Sequence, residues 1–115
     1  LCGFLRGDRV DTIDRFRGCL VGVAVGDALG APVEGMWREE IERRYGRVTE
    51  LFSGGWLGLG PGEWTDDTAM MLCIARSIVE KGRFEPGDVA LKFLDWFEAG
   101  ALGIGRTTYL ALEAL

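Results

Sequence analysis

The chain has 115 residues, 48% of them hydrophobic, with four Trp and a formal net charge of −5. That length admits one domain with a real core. The acidic balance and the lack of a Lys/Arg stripe argue against nucleic acid or an anionic membrane surface as partner. There is no His, so His-based metal sites and His-dependent catalytic triads are excluded, and acid–base chemistry falls to Asp and Glu. Three Cys without framework spacing read as a reducing, cytoplasmic setting.

Asp11 and Thr12 are placed to cap a first helix running to about Leu29. Ile13, Phe16, Leu20, Val23 and Ala24 recur along it at helical spacing. Gly18, Gly22, Gly26 and Gly30 recur every fourth residue, near one face. Each costs about 1 kcal/mol against Ala inside a helix. Close approach of a backbone or a ligand is the usual compensation, and a tightly packed central helix is the plain alternative. The longest apolar run, Cys19 to Gly26, is shorter than the roughly 20 residues that span a bilayer, so no membrane span is expected.

Trp37 to Tyr45 reads as a short charged helix stopped at Gly46. Residues 47–63 form a glycine-rich loop too apolar for a free linker. A helix from Thr65 to Lys81, ended by Gly82, is the strongest in the chain. Pro86 starts another that reaches Ala99. A second glycine-rich turn, Gly100 to Gly105, leads into a terminal helix near Thr107. Without a period-2 strand pattern, the fold class is all-α: an orthogonal bundle of about five helices in one domain, 1–115.

The densest chemistry lies at Trp64, Thr65, Asp66, Asp67 and Thr68. Two adjacent carboxylates beside a hydroxyl suit a hard cation with oxygen ligands, Mg²⁺ or Mn²⁺. The competing reading is a Thr65 N-cap with two acids complementing the helix dipole. Asp27 sits in an apolar context and needs a partner: a helix N-terminus, an Arg, a backbone amide, a metal or a metal-bound water. Glu34 follows Gly30 and Pro32 on a short turn, where a solvated surface role is the alternative.

Three ordered motifs resemble the ADP-ribosylglycohydrolase family. They are G-x-x-x-G-x-A-x-G-D-A-x-G-x-P-x-E from Gly18 to Glu34, W-T-D-D-T-x-M from Trp64 to Met70, and I-G-x-x-T from Ile104 to Thr108. The match covers most of the chain from about Arg15. The resemblance implies a binuclear Mg²⁺ or Mn²⁺ centre with Thr65, Asp66 and Asp67 as ligands, and Glu34 at the substrate ribose in a gating or catalytic role. It implies a structural or second-shell Asp27 and a substrate-contacting loop at Gly103, Ile104 and Gly105. The implied partner is ADP-ribose or an ADP-ribosylated substrate, whose C1″ bond is hydrolysed through an oxocarbenium-like transition state.

Two features depart from the family. Many members carry an acidic residue where this chain has Gly103. Members also run to roughly two or three times this length, as full domains, and a C-terminal D-x-D-T-like motif completes their metal shell. The chain does not begin with Met, and its terminal helix reaches Leu115 without a stop signal. The resemblance is therefore to a truncated N-terminal part. The expectation is a hydrolase if the site is completed, by a missing segment, a homo-oligomer or a complementing chain. The alternative is a catalytically inactive nucleotide-binding or interaction module.

Overall fold

The computed structural model describes residues 11–115, so Cys2 lies outside the described residues. Five α-helices and one 3-10 turn follow in order: α1 Thr12–Gly30, the turn Ala31–Val33, α2 Arg38–Tyr45, α3 Asp66–Lys81, α4 Pro86–Glu98 and α5 Arg106–Glu113. The all-α expectation holds among the described residues, where the only β-type pairing is an isolated bridge between Gly54 and Leu59. The cap of α1 is as expected, and the starts of α2 and α3 shift by one residue. Asp11 is the N-cap of α1, with its carboxylate 3.5 Å from the Ile13 amide. Trp37 precedes α2, and Thr65 is the N-cap rather than the first turn of α3.

α3 is the central element and packs on both α1 and α4, while α5 rests on α4. Its buried positions divide by the helical period: Cys73 and Ser77, one turn apart, share the α4 side, and Thr68 faces Asp27 of α1. Val89 is buried on α4. The Cys73 thiol donates to the Lys92 carbonyl at 3.4 Å. Ion pairs close the α3–α4 seam: Lys92 reaches Glu80 at 2.6 Å and Asp88 at 3.4 Å, and Lys81 reaches Asp88 at 3.1 Å. Phe97 and Tyr109 meet edge-on at 5.4 Å and seat α5. Tyr45 stacks on Phe52 at 4.7 Å and ties the glycine-rich loop to α2.

α1 is the exception to core packing. Only Ala28 is buried on it, and Ile13, Phe16, Leu20, Val21 and Val25 are all exposed. Cβ atoms built at Gly18, Gly22, Gly26 or Gly30 would meet nothing within 4 Å. No described backbone therefore approaches the glycine face closely, contrary to the packed-helix reading of that repeat. The radius of gyration is 18.3 Å and the extents are 61 × 45 × 21 Å, against about 13 Å for a compact chain of roughly 100 residues.

Thr12–Val33, at 22 residues, is long and apolar enough to cross a membrane by length and composition alone. The expectation of no span rested on the unbroken apolar run, which is shorter. Asp27, inside this segment, binds the start of α3 through its carboxylate, and that couples α1 to the rest of the fold.

Candidate metal and substrate site

The first turn of an α-helix leaves amide hydrogens without partners inside the helix, and a Ser, Thr, Asp or Asn at the N-cap normally accepts one. Thr65 stands at that position in α3 but its side chain does not cap the helix. Asp27 of α1 does so instead. Its carboxylate accepts the Thr65 amide at 3.1 and 3.0 Å and the Thr68 amide at 3.1 Å. It also accepts the Thr65 hydroxyl at 2.7 Å and the Thr68 hydroxyl at 2.6 Å. Burial alone pushes the Asp27 carboxyl up. The Thr68 and Thr65 hydroxyl and amide bonds outweigh it and hold the group below the ordinary carboxylate range.

A carboxylate can only accept, so both hydroxyl protons point at Asp27. The lone pairs of Thr65 Oγ1 are left free. Beside them stand the carboxylates of Asp66 and Asp67 on the first turn of α3. Burial, then the charge of Asp66, then that of Asp27, push the Asp67 carboxyl up. Positive charge at this spot would relieve that repulsion.

Asp27, Glu34, Thr65, Asp66 and Asp67 line one concavity of about 390 Å³, floored by Gly26, Gly30 and Ala31. Among the described residues no Lys or Arg lines it. A larger concavity of about 550 Å³ runs along α3 and α4 between Trp64 and Trp96, and holds none of the motif carboxylates. Glu34 follows the 3-10 turn and is exposed, and its Oε2 accepts the Trp56 indole N–H at 3.3 Å.

Gly103, Ile104 and Gly105 do not line the concavity. Gly103 abuts it from outside: a Cβ there would lie 2.8 Å from Thr65 Cβ and 3.3 Å from Asp66 Oδ1. Its φ of +78° is in the left-handed region that favours glycine. Ile104 is half-buried and Gly105 is the N-cap of α5.

Hard oxygen donors at Thr65, Asp66 and Asp67 fit Mg²⁺ or Mn²⁺ in kind. In number they fall short of a full shell. Asp27 is committed to its four donors, and no group of three or more His, Cys, Asp or Glu among the described residues is arranged to hold a metal.

Two residues of this arrangement were given no role from sequence: Thr68, named only as part of its motif, and Trp56. Thr68 carries half of the Asp27 contact, and the T-x-x-T spacing of N-cap and N3 was its visible signal. Trp56 lies in a loop with no periodic signal.

Comparison with known proteins gives the family. The sequence profile of ADP-ribosylglycohydrolase matches residues 8–115. The ADP-ribosyl-[dinitrogen reductase] glycohydrolase of Rhodospirillum rubrum is 44% identical over 94 residues, covering 82% of this chain and 32% of the relative. The ADP-ribosylarginine hydrolase Tri1 of Serratia proteamaculans is 37% identical over 110 residues, covering 90% of this chain and 29% of the relative. A solved structure, an ADP-ribosylglycohydrolase-related protein complex, superposes with a TM-score of 0.72 at 42% identity, covering 88% of this chain and 32% of that one. The chain thus spans about a third of the length of the relatives it matches. With three ordered motifs, a helical fold and a profile match over nearly its whole length, the chain belongs to the ADP-ribosylglycohydrolase family.

Proposed function

We propose that this chain carries the metal-binding and acid–base part of an ADP-ribosyl hydrolase, one that cleaves the C1″ bond between ADP-ribose and a modified side chain once the rest of the metal shell is supplied. The observation behind this reading is the division of labour around Asp27. It takes the hydroxyl proton of Thr65 and leaves that oxygen's lone pairs, Asp66 and Asp67 free in a concavity shared with Glu34.

Thr65, Asp66 and Asp67 would hold Mg²⁺ or Mn²⁺. The metal would supply charge for orienting oxygen-rich substrate and lowering the pKa of a bound water. Glu34 would accept or return the proton at the scissile bond. Gly26 and Gly30 leave the floor open, so that a ligand can approach the backbone of α1. Completion of the shell falls to a further segment, a second copy or a complementing chain, and the exposed apolar residues of α1 are the surface offered for it. A cytoplasmic setting belongs to the same reading, with Cys19 and Cys73 as free thiols.

Calorimetric titration of Mn²⁺ into the 115-residue chain, with Asp66→Ala as control, tests this directly. Micromolar binding that disappears in the control supports a completed shell and makes hydrolysis of an ADP-ribosylated peptide the next assay. Absence of binding leaves an orphaned half-site. It would favour the alternative, an inactive nucleotide-binding or interaction module, for which the elongated shape and exposed helix face are the supporting observations.

A further inference from the structure

Glu34 is the one acidic residue of the site with no helix beneath it. It terminates the 3-10 turn Ala31–Val33, and its side chain is exposed. A glutamate with three free torsions on a turn samples many rotamers. Two contacts from the glycine-rich loop restrain this one.

The first is through backbone. Gly54 and Leu59 pair across a tight loop, with amide-to-carbonyl distances of 3.0 and 3.2 Å, and Leu59 is only 3% exposed. That anchor presses Gly55 onto the turn. A Cβ at Gly55 would lie 2.8 Å from the Ala31 carbonyl oxygen and 3.1 Å from Pro32 Cα, and its φ is +76°. Only glycine lets the loop come so close. The second is through the side chain of the next residue: the Trp56 indole Nε1–H donates to Glu34 Oε2 at 3.3 Å.

The loop thus reaches Glu34 from a distance of 22 residues in sequence. Trp56 keeps most of its indole surface in solvent, at 68% exposure, so burial of the ring does not account for its placement. Glu34 is also the wall between two concavities. On one side stands the carboxylate site of Asp66 and Asp67. On the other is a concavity of about 500 Å³ lined by Trp56, Met36, Tyr45 and Arg44.

We propose that Trp56 is a positioning residue for Glu34: its indole N–H fixes one carboxylate oxygen and leaves Oε1 as the oxygen that works at the substrate. The role rests on Glu34 taking part in the reaction, as proposed above. The contact itself does not, and can be measured without ligand. Trp, rather than Phe, is required at this position because the indole supplies a donor.

The test is NMR on the intact 115-residue chain. Trp56→Phe assigns the Trp56 indole peak among the four. In the wild type that peak moves with pH as a carboxylate titrates, and in Glu34→Gln the acid-range movement is lost. The two Glu34 γ-methylene protons are resolved in the wild type and merge in Trp56→Phe, while backbone amide peaks outside residues 31–36 and 54–59 stay in place. A pH-silent indole peak, or γ-methylene protons unchanged in Trp56→Phe, overturns the proposal. Binding of ADP-ribose with Mn²⁺ is read on the same samples. If the wild type binds, a fall of roughly tenfold in Trp56→Phe supports the functional role and an unchanged affinity overturns it. If the wild type does not bind, the enzymatic reading of this chain fails separately, and the indole and methylene signals still decide whether Trp56 positions Glu34.

Discussion

Asp27 Oδ2 lies 2.6 Å from Thr68 Oγ1, and through this bond and its partners α1 supplies the cap of α3. A cap contributed by another helix joins secondary structure to tertiary structure in one carboxylate. Hydrogen bonds to a charged group are worth about 1.5–3 kcal/mol each when a partner is lost. Asp27→Asn keeps the shape but turns one acceptor oxygen into a donor facing donors. It is expected to cost about 2–3 kcal/mol, read from urea unfolding. Thr68→Val removes one hydroxyl bond to that carboxylate and is expected to cost about 1.5 kcal/mol, the lower end of that range. Equal costs for the two variants would contradict the shared-cap account.

The same carboxylate sets an acid dependence. Its folded pKa lies below the reference value of 3.8, so the folded state binds its proton more weakly than the unfolded chain. The contribution is fully present above the unfolded value and is lost as pH falls through the folded value. The stability gap between wild type and Asp27→Asn should therefore be widest near neutral pH and should narrow below about pH 4. A gap that stays constant to pH 3 would place the effect in packing rather than in charge.

Gly103 makes a second sharp expectation. Its φ of +78° and the 2.8 Å approach of a built Cβ to Thr65 Cβ combine backbone strain with a clash against a branched, buried side chain. Gly103→Ala should cost roughly 1–3 kcal/mol and shift the amide peaks of Thr65, Asp66 and Asp67. Unchanged peaks at those three residues would mean that the loop does not press on the site.

Cys73 is 8% exposed, whereas Cys19 on α1 is exposed. Burial pushes the Cys73 thiol up, partly offset by Arg76 and Lys92. In a Cys2→Ser background, a thiol reagent at pH 8 should label Cys19 at once and Cys73 at least about tenfold more slowly, because the reactive thiolate needs local opening. Above the reference value of 9.0 the unfolded chain loses this proton first, so the stability contributed by Cys73 declines as pH rises further.

Much of this was readable in the sequence because local rules decided it. Gly46, Gly82 and Pro86 punctuate the helices where the sequence places them, and T-D-D falls at the start of α3 as expected. The partner of Asp27 was left open among a helix N-terminus, an Arg, a backbone amide, a metal and a metal-bound water. Which of these it is depends on how α1 crosses α3, and no local signal fixes that crossing. Trp56 escaped for a related reason. Its role comes from a loop folded back over 22 residues, and a loop has no period to betray which side chain meets what. The glycine face of α1 misled for the opposite reason. The spacing is regular, but the described residues supply nothing to pack against it.

The exposed apolar side of α1 carries the last expectation. Ile13 is 55% exposed, Phe16 67% and Leu20 40%, one side of the helix by its period, and apolar surface of this kind is rare on soluble monomers. If a second copy covers it, light scattering should give a mass above the 12.6 kDa of one chain at high concentration. Phe16→Glu should return it to the monomer. Phe16 packs on little within one chain, so the change should alter the monomer's unfolding by no more than about 0.5 kcal/mol. A wild-type monomer at high concentration would remove the second copy as the occupant and leave a further segment or a complementing chain as the means of completing the metal shell.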